Sequence, residues 1–93
     1  MITLQKIIND LFENNVEFSV FSDIVGDSTV TTIRLKAETK FSIVCFNGAV
    51  CMVKYMSGLI VYTDAIDLTV EDKAIKLELF LEGTHVGVFL CEL

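Results

Sequence analysis

The sequence predicts an α+β fold: an N-terminal amphipathic helix packed on a curved, mostly antiparallel meander sheet of about five to seven strands. Three observations predict it. Apolar residues near the N-terminus recur at helical spacing, the period changes to two after Asn15, and an Asn-Gly pair divides two apolar runs mid-chain.

The helix comes first, over residues 3–14. Leu4, Ile7, Ile8, Leu11 and Phe12 fall at i, i+3, i+4, i+7 and i+8, so they share one face. Gln5, Lys6, Asn9, Asp10 and Glu13 occupy the other. Thr3 suits the N-cap, Ile2 and Ile7 suit a hydrophobic staple, and Asn14–Asn15 suit the stop. A helix this short is marginal alone and needs a surface to bury its five apolar side chains.

The sheet is expected over residues 16–92. Val16, Phe18 and Val20 alternate with Glu17 and Ser19. Residues 22–28 (SDIVGDS) read as a turn-rich loop. Thr31, Ile33, Leu35 and Ala37 then share one strand face, and Thr32, Arg34, Lys36 and Glu38 the other. Asn47-Gly48 predicts a tight hairpin, because a type I′ turn needs positive φ at both central residues. An unbroken register would set Val44 opposite Cys51 and Ile43 opposite Met52. That would put Val44, Phe46, Val53 and Tyr55 on one face, and send Cys45 and Cys51 to opposite sides. Both hairpin faces are apolar, so both need cover: the helix for one, and another part of the sheet, a second subunit or a partner for the other.

Ser57-Gly58 marks the next turn, and residues 59–63 a short strand. Segment 69–82 fits a helix with Gly83 at its C′ position, or a strand with Ile75, Leu77, Leu79 and Leu81 inward. The strand is favoured, since it leaves fewer large apolar residues exposed. Glu82-Gly83-Thr84 then turns into a last strand over 86–91.

Length and charge narrow the function. The 93 residues make a single domain over 1–93, with no repeat or linker. The net charge of −6 divides into −4 over residues 1–27, +3 over 28–63 and −5 over 64–93. An acidic chain without clustered Lys and Arg is a poor match for nucleic acid or an anionic membrane surface. No targeting segment or apolar run of membrane-spanning length is present, so a cytoplasmic location is expected, in a bacterium or an infected host. Cys45, Cys51 and Cys91 read as buried free thiols.

The chemical constellations are sparse. Three Cys and His85 match zinc donors in kind, but lack any C-x₂-C or H-x₃-H spacing. Glycines stand singly, with no phosphate-binding loop. Asp64, Asp67, Glu71 and Asp72 form an acidic cluster without the EF-hand pattern. No catalytic residue, cofactor or metal is therefore assigned. In general look the chain is similar to small acidic proteins encoded by phages and mobile elements. That resemblance implies an inhibitor of a host enzyme or defence complex.

The expected function is a non-enzymatic protein-binding module of inhibitor or adaptor type, with a protein partner or a second copy (a homodimer) on its surface. The interface candidates are Val44, Phe46, Val53 and Tyr55, with Asp64, Asp67, Glu71 and Asp72 on the rim. One alternative is a β-rich domain holding an apolar ligand among Met52, Met56, Phe80 and Phe89. Another is a divalent-metal enzyme using the acidic cluster.

Overall fold

The computed structural model describes residues 4–36 and 40–93. The element order is α1 (Leu4–Glu13), β1 (Phe18–Val25), β2 (Ser28–Leu35), β3 (Lys40–Phe46), β4 (Ala49–Tyr55), β5 (Ile60–Tyr62), β6 (Ala65–Val70), β7 (Ala74–Leu81) and β8 (Thr84–Glu92). The fold is α+β, as predicted, but the strands form two antiparallel meanders: β1–β5 in order, and β6–β8 in order. The expected single curved sheet is therefore divided after Tyr62. β6 opens the second sheet.

The helix buries Ile7 and Leu11 completely and lies against β6. Phe12, expected on the buried stripe, is 76% exposed, so the covered face is narrower than the spacing implied. The stop is a Schellman cap on Asn15, at φ +56°: Val16 N–H donates to Leu11 C=O and Asn15 N–H to Phe12 C=O. The expected cap Thr3 and staple Ile2 lie outside the described residues, as do Ala37 and Glu38.

Three tight turns set the registers. Residues 22–28 are not a loop: β1 runs to Val25, and the turn is confined to Gly26-Asp27. Ser22 is held in the ladder opposite Thr31, their hydroxyls 2.9 Å apart, so polar residues that signalled a loop sit within an edge strand. Asn47 and Gly48 adopt φ +50° and +82°, the predicted type I′ geometry. Glu82-Gly83, at φ +51° and +80°, is a second turn of that kind; of segment 69–82, residues 74–81 form the favoured strand, while 69–70 end β6 and 71–73 connect the two.

The β3–β4 register departs from expectation. Phe46 faces Ala49 and Cys45 faces Val50, but Val44 then faces Met52 and Ile43 faces Val53. Cys51 is an extra residue, a β-bulge that reverses the facing of everything after it.

The core lies between the sheets. Ile33, Leu35, Phe41, Ile43 and Val53 from the first meet Ile66, Ile75, Leu77, Leu79 and Cys91 from the second, with Ile7 and Leu11 beside them. Tyr55 stacks on Phe89 at 4.9 Å across the gap, and Gly87 lies against Val61. Thr31 and Thr63 are the fully buried polar side chains among the described residues.

Candidate functional site

The inner face of the first sheet is consumed by the core. Its outer face has no covering element among the described residues. Antiparallel cross-strand partners share a face, so the registers give its rows directly. Ser19, Arg34 and Lys40 form the first; Phe21, Thr32, Ser42, Lys54 and Ile60 the second. Asp23, Val30, Val44, Met52 and Tyr62 form the third, and Val25, Ser28, Phe46 and Ala49 the fourth.

This face has a basic end and an apolar body. Arg34, Lys40 and Lys54 gather at one end, from three different strands. Phe21 (51%), Val25 (63%), Phe46 (49%), Ile60 (47%) and Tyr62 (65%) stand exposed across the rest. At about 200 Å² for a large residue, these five leave roughly 550 Å² open, the upper end for the largest patch on an ordinary monomer. A partner in a standard interface buries about 800 Å². An open cleft of about 310 Å³ lies toward the basic end, with Phe21, Lys40, Lys54 and Met56 in its lining.

The sequence candidates separate on this frame. Val44 and Phe46 lie on the outer face. Val53 and Tyr55 do not join them, because the Cys51 bulge turns both inward: Val53 is fully buried, and the Tyr55 hydroxyl donates to Leu90 C=O at 3.2 Å. The face instead draws on Phe21, Val25, Ile60 and Tyr62, which sequence reasoning did not select. For Phe21 and Val25 the signal was their period-two spacing, obscured by Ser22, Asp23 and Gly26; Ile60 and Tyr62 share a face of the expected strand 59–63.

The four acids are not a rim to this face, nor are they one cluster. Asp64 follows the crossing between sheets, and its carboxylate accepts the Glu82 N–H at 3.1 Å, fixing the β7–β8 turn. Asp67 is exposed on the second sheet opposite Glu78. Glu71 and Asp72 lie in the β6–β7 connection, a strand length of roughly 20 Å from Asp64. No group of three metal-ligating side chains converges among the described residues.

The apolar-ligand candidates are also dispersed. Met52 is on the outer face of the first sheet, Phe80 is on the outer face of the second, and Phe89 is in the core. His85 packs edge-on against Phe80 at 5.3 Å, with Glu78 3.6 Å from its Nε2. Burial pushes the Cys91 thiol up to about 11, partly offset by a hydrogen bond with Tyr55. Burial likewise raises Tyr55, and burial with nearby Cys51 raises Cys45. Each shift favours the protonated, less nucleophilic form. Cys45, Cys51 and Cys91 are free thiols.

No helix among the described residues is long and apolar enough to cross a membrane. No protein-family model, curated protein or solved structure matches the chain.

Proposed function

We propose that the chain is a small non-enzymatic protein-binding module, of inhibitor or adaptor type, that docks its partner on the outer face of β1–β5. The observation that carries this reading is the uncovered apolar body of that face, with Phe46 and Tyr62 standing out of it. Raised thiol and phenol pKa values and dispersed carboxylates support a binding role over a catalytic one. The basic end adds a preference. An apolar partner surface with acidic residues on one flank would meet Arg34, Lys40 and Lys54 while its apolar part covers Phe46 and Tyr62.

Affinity capture from lysate of the native host, read by mass spectrometry, tests the reading. A stoichiometric partner is expected on the wild-type chain, lost on Phe46→Glu and weakened on Lys54→Glu. Both sites are exposed, so both variants keep the wild-type circular dichroism. A partner retained equally by both variants would place its docking surface elsewhere and remove the proposal.

A further inference from the structure

The free edges of the two sheets differ. β5 has three residues. β6 is accompanied by α1. β8 turns to the first sheet, with Leu90 C=O bonded to Tyr55 and Gly87 against Val61. β1 is different: eight residues, FSVFSDIV, with no Lys, Pro or bulge to guard it. It is exposed on both faces beyond Phe18, with Val20 (37%) and Ile24 (81%) inward of the sheet and Phe21 and Val25 outward.

Its backbone polarity follows from the turn. Val25 and Ser28 flank a two-residue turn, so they form a hydrogen-bonded pair. Alternation then turns the N–H and C=O of Asp23, Phe21 and Ser19 to β2. Those of Ile24, Ser22, Val20 and Phe18 turn to the open edge.

We propose that β1 pairs antiparallel with β1 of a second copy, across a two-fold axis at Phe21, joining two five-stranded sheets into one of ten. A two-fold normal to the sheet must set like faces together, so each residue meets one of the same parity. With the axis at Phe21, Phe18 meets Ile24 and Val20 meets Ser22 in hydrogen-bonded pairs, about eight bonds in all. Phe21 meets Phe21 at the close non-bonded position, an aromatic cross-strand pair, and Ser19 meets Asp23. Moving the axis to Ser22 leaves about six bonds and sets Asp23 against Phe21; moving it to Asp23 opposes two carboxylates.

A second copy suits the edge in size as well as register. Val20, Phe21 and Ile24, the large apolar residues at the centre of the paired stretch, leave roughly 340 Å² open per copy. With their edge backbone, two copies bring at most about 900 Å² together, a small interface that rests on its backbone bonds. This pairing uses the sheet's edge; Phe21 and Val25 also border the docking face, whose centre at Phe46 and Tyr62 it leaves open.

Light scattering at micromolar concentration reads the mass, expected at twice the 10.4 kDa of one chain. Val20→Pro removes only an outward N–H, so the β1–β2 ladder and the circular dichroism persist while the mass falls to one chain. Ile24→Lys gives the same loss by a second route. In a Cys45→Ser, Cys51→Ser background, oxidised Phe21→Cys gives a covalent dimer on a non-reducing gel, since close antiparallel pairs fit disulfide geometry. A single-chain mass for the wild type, or a two-chain mass unmoved by both edge variants, would overturn the pairing. Efficient self-linking of Ser22→Cys with none at Phe21→Cys would overturn the axis. Because Phe46 lies two strands away, Phe46→Glu keeps the dimer mass while losing the docked partner.

Discussion

Thr63 stands where the chain leaves one sheet for the other, and its side chain joins them. Its hydroxyl oxygen is 2.6 Å from Phe80 C=O and 2.9 Å from Ala65 C=O, and accepts the Phe80 N–H at 3.1 Å. With one hydrogen, the hydroxyl donates to the nearer Phe80 carbonyl. Its own N–H donates to Cys51 C=O in the first sheet. Thr63 is fully buried, so water cannot replace these bonds. Thr63→Val keeps the shape but strands the Phe80 N–H, at a cost of about 2–3 kcal/mol; Thr63→Ser keeps the hydroxyl and costs about 1. Urea midpoints of the two variants check this, and equal losses would deny the hydroxyl its role. Nothing in the sequence marked Thr63. A threonine closing the run LIVYT reads as one more β-branched strand residue, and its partner Phe80 is seventeen positions away.

At the scale of elements, legibility followed local signals. The Leu4, Ile7, Leu11 stripe and the Asn47-Gly48 turn act over a few residues, and both formed as read. The extent of β1 was hidden because Ser and Asp favour loops locally, yet an exposed edge strand tolerates them. The Cys51 bulge was hidden for another reason: with both hairpin faces apolar, hydropathy could not choose between registers differing by one residue. The choice is made by what lies opposite. Val53 and Tyr55 turn inward to complete the row with Ile43 and Phe41, and Tyr55 reaches Phe89. Deleting Cys51 removes the extra residue and leaves every later side chain on its present face. The deletion should cost about 1 kcal/mol and keep the wild-type circular dichroism. Deleting Thr32 from unbulged β2 throws part of that strand's buried face to water and should cost several kcal/mol. A Cys51 deletion as damaging as the Thr32 deletion would mean that the bulge itself is needed.

At the scale of the molecule, the two proposed association surfaces differ in electrostatics, and salt separates them. Arg34, Lys40 and Lys54 belong to the positive central third of the sequence, which composition revealed. Their convergence required the registers of three strands, which composition does not contain. The docking proposed at that end is an attraction between unlike charges, which ions screen. Pairing through β1 brings together two chains of net charge −6, with Asp23, Asp27 and the Glu17–Lys36 pair beside the edge. Its favourable part is backbone hydrogen bonds and apolar burial, which salt at these levels hardly affects, while the repulsion is long-range and screened. Raising NaCl from about 0.05 M to about 0.5 M shortens the Debye length from roughly 14 Å to 4 Å. The self-association constant, followed by light scattering against concentration, should therefore rise several-fold, while the amount of partner captured falls. A self-association that weakens with salt would mean that unlike charges hold the two copies together. Beside the β1 edge Lys36 is already paired with Glu17 at 3.6 Å, so such a result would move the contact to the basic end of the sheet.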